Sequence, residues 1–244
     1  MSGYLQALLF SLLPFAGNFL GGMLAELTNP SKRALSMALH AAAGILIAVV
    51  GIELMPKALD ATLPWIIILA FIAGGAFSIL LDRFVTGIQS KFGEGSENVG
   101  PWMIYLAVCV DLFSDGLMIG AGSTISSGLA LILALGQVGG DLPEGFATIA
   151  SFKEKGLTRG KRFLASIGFA LPLFLGTSIG YWLVRGRPEI VKLALLSFTA
   201  AILAKAAVEE VIGEAHEQGE DTYFQTMSFI GGFALFATVS TYVG

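Results

Sequence analysis

The sequence predicts an all-α membrane protein whose single domain, residues 1–244, contains eight transmembrane helices. Two observations lead to this fold class. Hydrophobic residues make up 55% of the chain and charged residues only 13%, whereas a soluble domain is about a quarter charged. The apolar residues also fall into eight runs, each close to the roughly 20 residues that cross a bilayer.

Short polar turns separate the eight predicted spans. In chain order the spans are Tyr4–Leu27, Ala34–Leu59, Leu63–Ile88, Pro101–Gly122, Leu129–Phe152, Phe163–Val184, Glu189–Gly213 and Tyr223–Val243. The connections include TNPSKR after the first span, QSKFGEGSENVG after the third and EAHEQGED after the seventh. Because the number of crossings is even, both termini are expected on the same side.

Basic residues in the predicted loops indicate which side is cytoplasmic. With both termini outside, nine of them lie in inner loops and four in outer loops. The inner set is Lys32, Arg33, Arg83, Lys91, Lys153, Lys155, Arg159, Lys161 and Arg162, and the outer set is Lys57, Arg185, Arg187 and Lys192. Positive charge accumulates in cytoplasmic loops, so we expect a multi-pass protein of the cell membrane with both termini outside.

A weak internal repeat relates the second and seventh predicted spans. Identical residues recur after a shift of 157 positions at Ala43 and Ala200, Ile45 and Ile202, Leu46 and Leu203, Glu53 and Glu210, and Ala58 and Ala215. The two spans cross the membrane in opposite directions. We therefore predict that the first three and last three spans are inverted repeats, a recurring plan of secondary transporters.

Four carboxylates interrupt the fourth and fifth predicted spans. Asp111 and Asp115 are four positions apart, and Asp141 and Glu144 are three apart, so each pair lies on one helix face. An ionised carboxylate at the centre of a membrane helix is unfavourable by about 2.5–3.5 kcal/mol. Two such pairs inside a bundle form an oxygen cage suited to a divalent cation. We interpret the chain as one that moves metal ions through a membrane.

Three further residues near these acids bear on the cage. Gln137 lies one turn before Asp141 and is a candidate oxygen ligand, as is Ser114. Ordinary hydrogen bonding between helices is the favoured alternative for both side chains. Pro143 removes one helical hydrogen bond and is expected to free a carbonyl near Asp141.

Two motifs in these spans have the spacing of a known family. The fourth span reads DLFSDGLMIGAG and the fifth reads GDLPEGFATIA. With Asp115-Gly116 and Pro143-Glu144-Gly145 they resemble the ZIP (Zrt/Irt-like) family of divalent metal transporters. That resemblance implies a 3+2+3 arrangement of the eight helices, with the fourth and fifth as the metal-binding core. It also implies homodimers that carry zinc, iron or manganese toward the cytoplasm by alternating access.

The chain departs from the family pattern at four positions. Asp111 and Gly140 stand where the family usually has histidine, Leu112 where it often has asparagine, and Leu171 where many members place glutamate. With both imidazoles missing, the cage is mostly carboxylate, which suits harder ions such as manganese or magnesium. The resemblance implies a two-metal site in many members, but because Leu112 and Leu171 are apolar we expect one principal metal here. The choice among zinc, iron and manganese stays open.

The seventh span carries candidate residues for metal exit or coupling. Lys205 lies mid-span and is expected either to form a structural ion pair with Glu209 or to approach the carboxylate cage. Glu210 matches Glu53 in the repeat, and both are candidate vestibule residues, with a packing or capping role as the alternative. His216 lies in the EAH segment that resembles the family and is a candidate to receive metal, with a solvated helix end as the alternative.

Two other functions remain as alternatives. In one, Lys205 neutralises the site of a metal-binding, or proton- or sodium-coupled, ZIP-like protein. In the other, the paired acids serve an intramembrane enzyme, which is disfavoured because no span carries a GxGD element. We expect no enzymatic activity. The expected partners are membrane lipid, the metal ion and a second copy of the chain, and no nucleic acid.

Overall fold

The computed structural model describes residues 2–92, 99–218 and 222–243, and these form long helices and no strand. The helices are α1 (Gly3–Leu27), α2 (Lys32–Leu59), α3 (Pro64–Phe92), α4 (Val99–Ser123), α5 (Ser127–Glu154), α6 (Arg159–Val184), α7 (Glu189–Glu217) and α8 (Tyr223–Val243). The all-α prediction is confirmed. Residues 93–98 and 219–221, which fall in two of the predicted links, lie outside the described residues.

Seven of these helices are long and apolar enough to cross a membrane within the described ranges, which confirms a multi-pass membrane protein. The exception is α5, which has 28 residues but is interrupted by Gln137, Asp141 and Glu144. Most of α5 is instead surrounded by protein, since its buried residues extend from Leu129 to Phe152. These three polar side chains therefore lie on a helix that is covered by its neighbours.

The helices pack in four close pairs: α1 with α5, α4 with α6, α2 with α8, and α3 with α7. Glycines make these approaches possible. A Cβ atom on Gly21 of α1 would overlap the backbone of Leu142 on α5, and one on Gly176 of α6 would overlap the backbone of Phe113 on α4. Small residues at such crossings let membrane helices come into backbone contact. The two helices that carry the acids, α4 and α5, are thus each held by a partner.

Both α2 and α7 contain one wide π-helical turn. These turns span Val49–Leu54 and Ala206–Val211, and they are 157 positions apart, the same shift that relates the two sequences. The α-helical parts before them, Lys32–Ala48 and Glu189–Lys205, are offset by the same number. A π turn inserts one extra residue into a helix and is frequent at functional sites. The residues that follow it are rotated relative to an uninterrupted helix.

Candidate metal centre

Three of the four predicted carboxylates meet between α4 and α5. One oxygen each from Asp111, Asp141 and Glu144 lies within 4.8 Å of the other two. Asp141 and Glu144 share one face of α5 because they are three residues apart. Asp111 approaches them from α4, which is in contact with α5. The group therefore joins two helices at the middle of both.

Asp115 and Gln137 lie in the interior but are not part of this three-oxygen group. Asp115 is 2% exposed and Gln137 is 1% exposed. The Gln137 Nε2 atom donates to Met118 Sδ on α4 at 3.7 Å, which ties the two helices together. Ser114 donates to the Val110 carbonyl of its own helix at 3.2 Å, so its hydroxyl is engaged within α4.

Several buried oxygen atoms around this group lack a hydrogen-bond partner among the described residues. They are Oδ1 of Asp115, Oε1 of Gln137, both carboxylate oxygens of Asp141 and Oε2 of Glu144. Buried acceptors normally have partners, and leaving one unsatisfied is unfavourable by about 1–3 kcal/mol. A cation among them would satisfy several acceptors at once, since oxygen ligands are what hard divalent ions require.

A cavity of about 140 Å³ extends from the carboxylates along α7. Asp111 and Glu144 line one part of it, and Ala147, Glu210 and Glu214 lie farther along its wall. Apolar side chains complete the lining: Leu39, Ile104, Ala107, Val108 and Val211. Ala147 follows Glu144 along α5, and Glu214 follows Glu210 along α7. The cavity therefore runs toward the side where α5 and α7 end, which is the side predicted to be cytoplasmic.

Lys205 lies at the end of the α-helical part of α7, immediately before its π turn. Its Nζ atom is 2.6 Å from Glu210 Oε1 and 3.8 Å from Glu209 Oε2, and its side chain is 12% exposed. The predicted pair with Glu209 is present, but the shorter contact is with Glu210. In a π turn the aligned residues are five apart rather than four, which explains the change of partner.

His216 lies near the end of α7, next to α2. Its ring centroid is 5.6 Å from that of His40 in a T-shaped arrangement. His40 is 6% exposed, and its Nδ1 atom is 2.8 Å from the Ser36 carbonyl oxygen. The two imidazoles therefore sit at the end of the molecule toward which the cavity runs.

The structure gives physical reasons for the departures from the family pattern. A Cβ atom on Gly140 would lie 3.1 Å from Leu46 Cδ2 on α2, so this position has little room for a larger side chain. Leu112 is fully buried and packs with Phe169 of α6. Leu171 is 66% exposed, so it lies on the surface rather than in the interior with the carboxylates. The expected link between Leu171 and the number of bound metals therefore has no support in its position.

Sequence reasoning overlooked Asn18 on α1. This side chain is fully buried, and neither its Oδ1 nor its Nδ2 atom has a hydrogen-bond partner within the described part of the chain. Its backbone lies against Gly145 of α5, next to Glu144. The available signal was an amide in an otherwise apolar span, since polar groups inside a membrane usually mark function or helix contacts.

A membrane bundle with carboxylate oxygens gathered in its interior defines a class of protein that handles divalent cations. Comparison with known families agrees with this class: residues 89–240 match the model of the family described as ZIP zinc transporter. The match covers more than half of the chain, so the chain belongs to the ZIP zinc transporter family. No curated protein matches the chain as a relative. The family consists of divalent metal transporters and not of enzymes.

Proposed function

We propose that this protein carries a divalent metal of the zinc, iron or manganese class across the cell membrane and toward the cytoplasm. Asp111, Asp141 and Glu144 are the principal ligands, and Asp115 and Gln137 lie close by as supporting oxygens. The observation that carries this proposal is the convergence of three carboxylate oxygens within 4.8 Å of one another inside a membrane bundle. Such a cluster is unfavourable without a cation to compensate its charge.

The donor atoms favour the harder end of this metal class. Each of the three clustered residues offers a carboxylate oxygen, and none offers an imidazole nitrogen or a thiolate. Oxygen donors suit manganese, whereas imidazole suits zinc and copper. Manganese is therefore our first candidate for the cargo, followed by iron and zinc.

The helix pairing supports eight crossings in a 3+2+3 inverted-repeat arrangement. In such an arrangement α1, α2 and α3 correspond to α6, α7 and α8, and α4 corresponds to α5. The contact between α1 and α5 should then have a counterpart between α6 and α4. The contact between α2 and α8 should likewise have a counterpart between α7 and α3. All four pairs are in close contact. The matching π turns of α2 and α7 agree with the same correspondence.

This arrangement provides a physical basis for alternating access. α1, α4, α5 and α6 are joined by backbone contacts at Gly21 and Gly176 and by the α4–α5 contact. We infer that these four helices move as one unit and expose the carboxylates to either side in turn. The cavity beside Glu210 and Glu214 corresponds to access from the cytoplasmic side, with both chain termini outside.

Residues of α7 lie along the route from the ligands to this side. Glu210 lines the same cavity as Asp111, and His216 lies two residues beyond Glu214, another residue of the cavity wall. We propose that Glu210 and His216 take part in metal exit. Glu209 holds the Lys205 ammonium group together with Glu210. A homodimer follows from the family resemblance and is proposed on that basis.

The Lys205 ammonium group supports a second candidate function. Lys205 contacts Glu210, and Glu210 shares a cavity with Asp111, so a fixed positive charge lies beside the route. In a protein that binds metal without transporting it, this charge neutralises the carboxylates permanently. In a transporter, the ammonium group would move away when the metal cation binds.

Uptake of ⁵⁴Mn²⁺ into proteoliposomes tests the proposal. We expect saturable uptake by the wild type and its loss in Asp141→Ala and Glu144→Ala, each of which removes a ligand oxygen. Asp60→Ala is the matched control because Asp60 is exposed at the end of α2 and should leave uptake unchanged. Uptake that survives both ligand substitutions contradicts the ligand assignment, and binding without uptake in the wild type supports the second candidate function.

A further inference from the structure

Asn18 is an uncompensated amide in the helix that packs against the metal-binding segment. It is fully buried, and its amide oxygen and nitrogen both lack hydrogen-bond partners among the described residues. Buried polar side chains normally find partners. Leucine is close in size and would avoid this unfavourable burial, so stability alone does not explain an asparagine here.

The register of α1 on α5 places Asn18 at the level of the carboxylates. Gly17 lies against Val138, and the backbone of Asn18 lies against Gly145. Asp141 and Glu144 fall between these two contact points on α5. Successive residues of an α-helix are rotated by about 100°, so Gly145 borders the face that carries both acids. Asn18 therefore approaches α5 at the edge of its carboxylate face.

The surroundings of Asn18 on α1 point to the same interior region. Ser11, on the same stripe of α1, is 2.7 Å from Thr177 Oγ1 of α6, and Gly17 faces α5. Asn18 lies between these two directions around the helix, so it faces the space enclosed by α1, α5 and α6. This is the side of α5 away from α2, where Leu46 covers Gly140.

We propose that the Asn18 amide oxygen is an additional ligand for the transported metal, supplied by α1. This inference rests on the proposed function and extends it, because the cation would be held by α1, α4 and α5 together. A neutral amide oxygen is a normal ligand for hard divalent ions. It adds a ligand atom without adding a negative charge to the three carboxylates. A fourth negative charge would hinder release of a doubly charged cargo.

The test compares metal affinity with metal-free stability in the purified full-length protein. MnCl₂ is titrated calorimetrically, and the unfolding temperature is measured without metal. Asn18→Leu should weaken Mn²⁺ binding by about tenfold or more, since lost contacts around a bound metal typically reduce affinity by 10–100-fold. Its unfolding temperature without metal should equal or exceed that of the wild type. Asn18→Asp should retain binding because it keeps an oxygen at the same place.

Thr177→Val is the matched control for a purely structural effect. It removes a buried hydroxyl at the neighbouring α1–α6 contact, where Thr177 meets Ser11. This variant should lower the unfolding temperature and leave Mn²⁺ affinity unchanged, which is the opposite pattern from Asn18→Leu. If Asn18→Leu does not fold, Asn18→Ala gives the same comparison.

The outcomes separate this inference from the proposed function. If Asp141→Ala abolishes Mn²⁺ binding while Asn18→Leu binds within about twofold of the wild type, the carboxylate site stands and the role of Asn18 is refuted. A destabilised Asn18→Leu with wild-type affinity also refutes it, in favour of a packing role. If the wild type binds no Mn²⁺, Zn²⁺ or Fe²⁺, both proposals fail together.

Discussion

Glu53 and Glu210 occupy the same position in two π turns that are 157 residues apart, yet their surroundings differ. Glu53 is 5% exposed and accepts hydrogen bonds from Ser240 on α8 and Lys57 on its own helix. Glu210 is paired with Lys205 and lines a cavity together with Asp111. One glutamate is thus enclosed by its neighbours, and the other faces the cavity near the carboxylates.

This difference agrees with the alternating-access mechanism that we propose. In that mechanism, a cavity on one side of the carboxylates is matched by closed packing on the other. Glu53 would then belong to the closed side, where it accepts a hydrogen bond from Ser240 and so links α2 to α8. We expect the two glutamates to differ in what they contribute, one to stability and the other to transport.

Substitution of Glu53 should therefore affect mainly stability, and substitution of Glu210 should affect mainly transport. Glu53→Gln weakens a buried charge-assisted contact with Lys57 and should lower the free energy of unfolding by about 1–3 kcal/mol. Glu210→Gln should change stability less, because the Glu210 side chain is 49% exposed, and it should slow metal uptake. Denaturant unfolding and proteoliposome uptake measure the two effects. Equal loss of stability in both variants would contradict the assignment.

Lys205→Met should tighten metal binding. The Lys205 ammonium group pairs with Glu210, which lines the same cavity as Asp111. Without this positive charge, a divalent cation that enters the cavity meets less electrostatic repulsion, and the Glu210 carboxylate is free to attract it. We expect the Mn²⁺ dissociation constant to fall by up to about fivefold, equivalent to about 1 kcal/mol. Lys57→Met provides the control at the other π turn, and weaker binding in Lys205→Met would argue that the lysine positions the ligands.

Asp111→His should shift selectivity toward zinc. It replaces one of the three clustered carboxylates with an imidazole, which zinc accepts more readily than manganese does. In uptake from mixed metals, the ratio of zinc to manganese should rise roughly tenfold, or about 1.4 kcal/mol of selectivity. Asp60→His, at the exposed end of α2, should leave the ratio unchanged. An unaltered ratio in Asp111→His would remove Asp111 from the ligands.

Gly21→Ala should destabilise the protein through the α1–α5 contact. The added methyl group would overlap the Leu142 backbone, and overpacking of this kind typically costs about 1–3 kcal/mol. Gly75→Ala is the control, because the described residues leave open space around Gly75 on α3. Thermal unfolding in the same detergent compares them, and an equal midpoint for both variants would show that the helices separate easily at Gly21.

Much of the fold was predictable because its determinants are local. Apolar runs of about 20 residues mark helices that cross a bilayer, and seven of the eight predicted spans meet that description within the described ranges. The pairing of Asp141 with Glu144 follows from helical spacing alone. The 157-residue shift was also visible in the sequence, whereas the π turns at Val49–Leu54 and Ala206–Val211 were not.

The composition of the candidate site was predictable only in part. The four-residue spacing of Asp111 and Asp115 predicted that both would contribute to the site. In the structure, only Asp111 lies in the group of three carboxylate oxygens with Asp141 and Glu144 of α5. Asn18 drew no attention because one amide in an apolar run has no spacing pattern. Hydropathy also cannot separate lipid from protein surroundings, so the exposed Leu171 and the buried Leu112 looked equivalent.

Hydropathy and helical periodicity are properties of short segments, so they were enough to predict a helical membrane chain with carboxylates at the middle of two helices. Three features emerge only when the helices pack: which oxygens meet, that Lys205 contacts Glu210 more closely than Glu209, and that Glu53 is enclosed while Glu210 is not. These outcomes depend on the rotation of each helix about its own axis. That rotation is set by the π turns and by where glycines allow backbones to touch.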